Sequence, residues 1–226
     1  MSNHESWASI LEVSDLEIGF SNLQLASSIS FSLKQGEWIG VMGSNGVGKT
    51  TLIKTLLGLV SPRRGRITFL SQALEKAESA DLRKKFGYIP QSLLSIPSLT
   101  LFEYYSSCWR NRFSRNTSCL SEEVLSSLQA VQLQEKKEIP LSSLSGGELR
   151  RALFGATLLV KPSCFIFDEP TVALDSMAEQ EIRNILANNQ LRKGSSGIIV
   201  SHDEKFLHDI CERILVLTPQ GMREQS

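Results

Sequence analysis

The stretch that most constrains the fold is Gly-Ser-Asn-Gly-Val-Gly-Lys-Thr at residues 43–50. An apolar run, Trp38–Met42, comes before it, and residues 50–59 follow it with leucine and isoleucine at helical spacing. This order predicts a buried strand, a tight glycine-rich loop and a helix. A chain built on such a unit is expected to be an α/β protein with a mostly parallel sheet.

The same octapeptide fits the pattern G-x-x-x-x-G-K-[S/T] at every fixed position. Its glycines let the backbone turn tightly, so that successive N–H groups point at phosphate oxygens, and the following helix adds its dipole. Lys49 supplies a positive charge for the β- and γ-phosphates, and the Thr50 hydroxyl is a ligand for Mg²⁺. The predicted nucleotide-binding residues are Gly43, Ser44, Asn45, Gly46, Val47, Gly48, Lys49, Thr50 and Thr51. The guanine-reading motif N-K-x-D is absent from the sequence, which favours ATP.

A pair of carboxylates follows a second apolar run, Cys-Phe-Ile-Phe at residues 164–167. Such a run, bounded by Pro162 and Asp168, is typical of a strand that a parallel sheet buries on both faces. Ligands of α/β proteins bind at the carboxyl ends of these strands. We therefore predict that Asp168 holds Mg²⁺, directly or through water, and that Glu169 is the general base for an attacking water.

Hydrophobic periodicity predicts the remaining elements. Period-2 patterns at residues 10–20 and 29–33 predict two strands, which we expect to be antiparallel. Residues 99–137 are rich in Ser, Gln, Glu and aromatic residues without a strand pattern, and we interpret them as a helical insert. Further helices are predicted at 148–160, 176–191 and 204–211, and further strands at 198–200 and 213–217. Strands and helices that alternate on both sides of the insert support an α/β core.

Composition limits the partners and the compartment. Among the 226 residues, Lys and Arg number 24 and Asp and Glu number 24, so the net charge is zero and no nucleic-acid partner is predicted. The four cysteines show no CxxC spacing, which favours free thiols in a reducing compartment. No secretory signal pattern is visible, and the apolar runs are far shorter than the ~20 residues that span a bilayer. We expect a cytoplasmic protein that reaches a membrane only through a partner.

Three segments together carry a family resemblance: GSNGVGKTT, FIFDEPT, and LSGGE just before a predicted helix. With them the chain resembles the ATP-binding cassette (ABC) ATPases, and LSGGE is the element that other phosphate-loop ATPases lack. The resemblance implies a single α/β domain, 1–226, with a P-loop NTPase core of the ABC type, an N-terminal antiparallel β-subdomain and an inserted α-helical subdomain. It assigns 10–90 and 144–217 to the core with its β-subdomain, and about 91–143 to the helical subdomain.

Further positions match the family one at a time. Gln91, in GYIPQ, matches the glutamine that touches Mg²⁺ and the attacking water, and His202 matches the switch histidine that contacts the γ-phosphate. Asp175, in Ala-Leu-Asp, matches the D-loop aspartate. Phe20 lies near the position of an aromatic residue that stacks on adenine, and an ordinary core aromatic is the alternative. The resemblance implies an active ATPase with Lys49, Gln91, Glu169 and His202 as catalytic residues and Thr50, Gln91 and Asp168 as metal ligands.

The second glycine stretch, LSGGE, offers the hydroxyl of Ser145 and the N–H groups of Gly146 and Gly147 at the start of a helix. In the family these residues, together with the position of Glu148, cover the γ-phosphate that a second subunit binds. Glu148 replaces the more frequent glutamine, and Ala156 stands where many members have an arginine. The resemblance implies a homodimer, or a heterodimer with a related cassette, that sandwiches two ATP molecules.

A single cassette most resembles the ATPase subunit of a multi-subunit transporter on the cytoplasmic face of the cell membrane. The resemblance implies transmembrane permease subunits that dock on the helical subdomain, with a solute-binding protein as a further component of an importer. Five aromatic residues are candidates for the docking groove or for the insert's own core: Phe102, Tyr104, Tyr105, Trp109 and Phe113. The segments around Gln91 and His202 are similar to metal-ion and metal-chelate importers. Haem or lipid export, and a non-transport cassette in translation or repair, are the alternatives.

Overall fold

The glycine-rich loop lies at one end of a mostly parallel sheet. The computed structural model describes residues 8–20, 23–74, 80–92, 95–113, 120–172, 174–187 and 194–225. In order across this sheet, the strands are β10 (Gly221–Glu224), β9 (Arg213–Thr218), β3 (Trp38–Met42), β8 (Ser196–Val200), β7 (Cys164–Asp168) and β6 (Phe86–Ile89). Pairing is parallel from β9 to β6, and β10 joins β9 antiparallel. The predicted α/β core with a parallel sheet is confirmed.

A second sheet precedes and follows the loop in sequence. Its strands, in spatial order, are β2 (Leu23–Lys34), β1 (Ser9–Phe20), β4 (Arg64–Phe69) and β5 (Gln72–Ala73), and each neighbouring pair is antiparallel. Along β1, buried Leu11, Val13 and Leu16 are separated by exposed residues. This alternation is expected of a sheet with one face on the core and one face toward solvent. The N-terminal antiparallel β-subdomain is confirmed.

Helices cover the central sheet on both faces, which explains why β7 and β8 are buried along their whole length. The helices are α1 (Lys49–Leu56), α2 (Ala80–Arg83), α3 (Leu101–Phe113), α4 (Leu120–Ala130), α5 (Gly146–Leu159), α6 (Ser176–Ala187) and α7 (Glu204–Ile210). On one face, Leu52 and Leu56 of α1 belong to the core cluster between the two sheets. On the other, Phe154, Ile182 and Phe206 bring α5, α6 and α7 into a second cluster.

The helical insert has a core of its own. α3 and α4 pack around a third apolar cluster that one side of α5 completes. Tyr105 is fully buried and donates a 2.8 Å hydrogen bond from its hydroxyl to the carbonyl of Ala152, and Trp109 is buried beside it in the cluster. Phe102, Tyr104 and Phe113 pack against the same cluster. The aromatic residues therefore belong to the insert's own core, and the docking-groove alternative is wrong for Tyr105 and Trp109.

Several boundaries differ from the predicted ones. α1 ends at Leu56 because Gly58 turns the chain with a φ of +65°, which leaves Leu59 exposed. α5 begins at Gly146, two residues early, because Ser145 is its N-terminal cap. Strands β4, β5, β6 and β10 have no counterpart among the predictions. Cys119, Ala173 and residues 188–191 lie outside the described part of the chain. Within that part, the helices are too short or too polar to cross a membrane.

Candidate functional site

Glycine geometry closes the loop between β3 and α1. Gly46 and Gly48 have φ angles of +79° and +109°, in the left-handed region that residues with a side chain avoid. Space is also limited at Gly48, where a Cβ would lie 3.1 Å from Ile18 Cδ1 and 3.2 Å from Leu25 Cβ. Gly48 is the N-cap of α1, so the loop leads directly into the positive end of the helix dipole. An anion is the ligand that such a loop favours.

The ammonium group of Lys49 lies over the same loop. Its Nζ atom donates to the carbonyl oxygens of Gly43 at 2.8 Å and Ser44 at 3.3 Å. Val47, by contrast, turns its side chain into the core between the two sheets. A predicted contact of Val47 with phosphate is therefore limited to its backbone N–H, and Lys49 is the side-chain cation of the loop.

The side-chain oxygen atoms of Thr50 and Asp168 meet where α1 approaches the end of β7. The Thr50 hydroxyl donates a 2.9 Å hydrogen bond to Oδ2 of Asp168, whose residue is only 1% exposed. Burial raises the pKa of Asp168, and the charge of Glu169 acts in the same direction, whereas the Thr50 hydrogen bond lowers it. Gln91 lines the same cavity as both residues. A hydroxyl, one carboxylate and an amide fit Mg²⁺, which takes few protein oxygens and leaves room for phosphate and water.

Glu169 and His202 form a second pair at this edge of the sheet. Oε2 of Glu169 lies 2.9 Å from Nδ1 of His202 and also accepts the backbone N–H of His202 at 3.4 Å. The side chain of Glu169 is 10% exposed and that of His202 is 68% exposed. Glu169 has a φ of +48°, and its N–H donates to the carbonyl of Val200 at 2.8 Å. The backbone of Glu169 is thus fixed to β8, and its carboxylate is held by the backbone and the solvent-facing imidazole of His202.

The loop, Thr50, Gln91, Asp168 and Glu169 line one cavity of about 510 Å³. Its walls are formed by Phe20, Leu23, Leu25, Asn45, Gly46, Gly48, Lys49, Thr50, Thr51, Gln91, Asp168 and Glu169. Phe20 is 50% exposed, so the alternative that it is a core aromatic is wrong. Three apolar side chains beside a cationic loop suit a ligand that joins a planar ring to an anionic chain.

The second glycine stretch begins α5 with a reciprocal capping box. Oγ of Ser145 accepts the N–H of Glu148 at 3.3 Å, and Oε2 of Glu148 accepts the N–H of Ser145 at 3.0 Å. The other carboxylate oxygen of Glu148 forms an ion pair with Lys136, which lowers the pKa of Glu148 more than the capping contacts do. The Ser145 hydroxyl accepts in this box and keeps its proton for donation elsewhere.

Several predicted residues lie away from the cavity. Ser145, Gly146, Gly147, Glu148 and Asp175 are absent from its walls. Asp175 instead accepts the N–H of Ala178 at 2.9 Å and caps α6, which is the ordinary structural role of such a residue. Gly43 and His202 line a neighbouring cavity of about 510 Å³ with Met42 and Arg223.

Four residues at the site were not predicted from the sequence. Leu23 and Leu25 extend the apolar wall beside Phe20, and the alternation along β2 was the signal that could have identified them. Lys136 pairs with Glu148, and Arg150 donates to the backbone carbonyls of Pro90 and Gln91. Contacts between distant segments of this kind have no signature in a single sequence.

Comparison with known proteins identifies a matching family and similar proteins. The sequence profile of a family described as "ABC transporter" matches residues 26–172. The chain is 32% identical over 209 residues to the linearmycin resistance ATP-binding protein LnrL of Bacillus subtilis, a match that covers 92% of this chain and 66% of that protein. It is 29% identical over 210 residues to the zinc transport system ATP-binding protein AdcC of Streptococcus pneumoniae, covering 90% and 87% of the two chains. The chain thus spans slightly less than two thirds of the length of LnrL.

A solved structure has the same fold. The structure of cbiO1 from Clostridium perfringens, part of the ABC transporter complex cbiONQ, superposes with a TM-score of 0.84 at 26% identity. The match covers 95% of this chain and 87% of that one.

The ion pair between Lys136 and Glu148 generates a pH-dependent prediction. The pKa of Glu148 is lower in the folded state than in the unfolded state, so the Glu148 carboxylate stabilises the fold at neutral pH. This contribution is lost as the pH falls through the folded-state pKa of Glu148. We expect Lys136→Met to lower the free energy of unfolding by less than about 1 kcal/mol at neutral pH, because both partners are partly exposed. The difference in unfolding free energy between the wild type and Lys136→Met should vanish in acid. Denaturant titrations from neutral pH into acid measure this difference, with Lys137→Met, at an exposed position, as control. A difference that persists in acid would contradict the ion pair.

Proposed function

The chain belongs to the ABC transporter family of ATP-binding, ATP-hydrolysing subunits, and from this premise we propose that it drives transport through a separate permease by binding and hydrolysing ATP. One observation carries the proposal: the carboxylate of Glu169, 2.9 Å from His202 Nδ1, lies in the wall of the cavity that contains Lys49 and Asp168. A general base beside a cation and metal donors is what hydrolysis of a phosphoanhydride requires.

In the proposed reaction, water attacks the γ-phosphate in line with the leaving phosphate. Lys49 and the loop N–H groups hold the phosphates and offset the charge that develops on them. Glu169 accepts the proton of the attacking water, and His202 orients that carboxylate and contacts the γ-phosphate. A Mg²⁺ ion held by Thr50, Gln91 and Asp168 supplies Lewis-acid stabilisation when it is bound. Phe20 stacks on the adenine.

The proposed active form is a dimer in which Ser145, Gly146 and Gly147 of one chain cover the γ-phosphate bound by the other. Support comes from the capping box, which leaves the Ser145 proton available and presents the start of α5 at the surface. Support also comes from the cavity walls, which lack these residues within one chain. Two identical chains that exchange the same surfaces form a closed two-fold arrangement. Under this proposal ATP joins the chains and hydrolysis separates them, and Asp175 lies in the same interface.

The first prediction from the proposed reaction concerns the base, Glu169. Glu169→Gln should retain Mg-ATP binding but reduce hydrolysis by a factor of about 10²–10⁴, because the amide cannot accept a proton. The bound ATP should then hold the two chains together. Light scattering with and without Mg-ATP measures the assembly, and Glu135→Gln, at an exposed position, is the matched control. A Glu169→Gln variant that stays monomeric with Mg-ATP would contradict the dimer.

The second prediction concerns the proposed action in trans. Ser145→Arg should abolish hydrolysis while the monomer still binds ATP, because Ser145 lies outside the cavity of its own chain. Loss of the cap should cost about 1 kcal/mol of stability, which thermal unfolding checks. Binding of a fluorescent ATP analogue separates the two effects, with Ser107→Arg, at an exposed position of α3, as control. Equal loss of binding and hydrolysis would mean that Ser145 acts within its own site.

The proposed membrane partner is a pair of permease subunits, which would hold this chain at the cytoplasmic face of the membrane. A groove of about 670 Å³ between the Gln91 segment and α5 is the docking surface we favour. Its apolar residues include Ile96, Leu149 and Leu153. The surface joins Gln91, where the core meets the helical insert, to α5, so a permease helix placed there would contact both.

For the cargo we propose a metal ion or metal chelate moving inward, with a solute-binding protein in the complex. Support comes from the segments around Gln91 and His202 and from similarity to a zinc transport relative. The linearmycin resistance relative favours the second candidate, export. Reconstitution with the permeases encoded beside the gene tests both, with uptake of labelled Zn²⁺ measured against efflux. ATP-dependent efflux would overturn import, and the absence of any permease gene would favour the non-transport alternative.

A further inference from the structure

We propose that Arg150 is a positioning residue that fixes the backbone of Gln91 to the helix that carries Ser145. This inference rests on the proposed ATPase function. It would make the placement of Gln91 at its own metal site depend on the placement of the Ser145 end of α5, which serves the partner's ATP. A single side chain would then connect the two nucleotide sites of a dimer within each chain.

The contact is bidentate. Nη1 of Arg150 donates to the carbonyl oxygen of Pro90 at 2.7 Å, and Nη2 donates to the carbonyl oxygen of Gln91 at 2.8 Å. Two parallel bonds to consecutive carbonyls restrain the orientation of both peptide units, which one bond could not do. The guanidinium fork matches this spacing, whereas a lysine ammonium acts as a point donor.

Gln91 occupies the position where such a restraint matters. It follows β6 by two residues and contributes to the walls of the cavity that contains Thr50 and Asp168. It also contributes to the groove that contains Gly146 and Arg150. Because its carbonyl is held toward α5, rotation of α5 relative to the sheet must either move Gln91 or break both hydrogen bonds.

Arg150 is attached rigidly to the second glycine stretch. It lies five residues after the cap Ser145, within the same continuous helix, so its position follows that of the capped end. The adjacent Arg151 points elsewhere and lies 3.2 Å from Glu181 of α6. Consecutive arginines thus hold α5 on two sides, and Arg150 is the one that reaches the Gln91 segment.

The environment of Arg150 also favours a restraining role. Its side chain is half-buried, and its two partners are neutral carbonyls. Burial lowers the pKa of the guanidinium and the charge of Asp168 opposes that change, yet an arginine remains protonated. Breaking the contact would therefore leave a partly desolvated cation without these two bonds. This cost favours the state in which Arg150 stays bonded to the carbonyls of Pro90 and Gln91.

A first experiment needs no nucleotide. The N–H vectors of Gln91 and Ser92 belong to the two peptide units that Arg150 restrains, so their NMR order parameters report the restraint directly. In the wild-type protein both should lie near the ~0.85 of rigid backbone, and Arg150→Gln should lower them to below ~0.6. Arg150→Lys should give intermediate values, because it retains the charge but acts as a point donor. Arg110→Gln, at an exposed position of the insert, is the matched control and should leave the values unchanged. Unchanged order parameters in Arg150→Gln would overturn the proposal even if the chain hydrolyses no ATP.

A second experiment tests whether Arg150 acts through Gln91. Arg150→Gln should lower kcat by about tenfold with little change in KM, because misplacement affects the reaction more than ATP binding. In a Gln91→Ala background the same change should have no further effect on kcat. Full additivity of the two changes, or parallel losses of kcat and melting temperature, would assign Arg150 a structural role. Absence of wild-type hydrolysis would overturn the proposed function and leave the order parameters of Gln91 and Ser92 to decide on Arg150.

Discussion

The parallel register of three strands is the constraint on which the site depends. Val41 of β3 and Asp168 of β7 both lie opposite Val200 of β8, so the three strands end at the same level. Each ladder continues by one bond, from the N–H of Ser201 to Val41 at 3.2 Å and from the N–H of Glu169 to Val200 at 2.8 Å. The residues that follow, the glycine loop, Glu169 and His202, must therefore emerge together at the edge where α/β sheets bind ligands.

Burial at that edge determines the electrostatics. Asp168 and Glu169 are consecutive, and both are less than a tenth exposed. Placing two carboxylates in a poorly solvated position is unfavourable, which is why burial and the charge of Glu169 raise the pKa of Asp168. The Thr50 hydroxyl and the charge of Lys49 offset part of this cost. A divalent cation would offset more, so the same burial that destabilises the carboxylates favours a metal between them and phosphate.

Strands and motifs with a clear local pattern could be predicted from the sequence, whereas features that depend on tertiary contacts could not. Strands β3 and β7 and the motif residues were predicted because apolar runs and fixed glycine spacing are visible within a few residues. β10 and the two-residue β5 were missed because short edge strands have little pattern of their own. Whether Phe20 and the insert aromatics belong to a core depends on their burial, which the sequence does not give. In the structure Phe20 is half exposed, whereas Tyr105 is inaccessible. Arg150 and Lys136 lie 59 and 12 residues from their partners, beyond any local signal.

Two adjacent glycines at the start of α5 differ in how far packing within the chain explains them, and the difference bears on the proposed dimer. A Cβ on Gly147 would lie 2.7 Å from Cβ of Ala178, so packing against α6 within the chain already requires that glycine. Among the described residues, a Cβ on Gly146 would meet nothing within 4 Å, and the φ of Gly146 is not in the left-handed region. Glycine weakens a helix relative to alanine, so a glycine without an internal reason indicates an external one. Close approach by a group from outside the chain is such a reason, and the exposed N–H groups and the Ser145 hydroxyl at the positive end of α5 make an anion the fitting group.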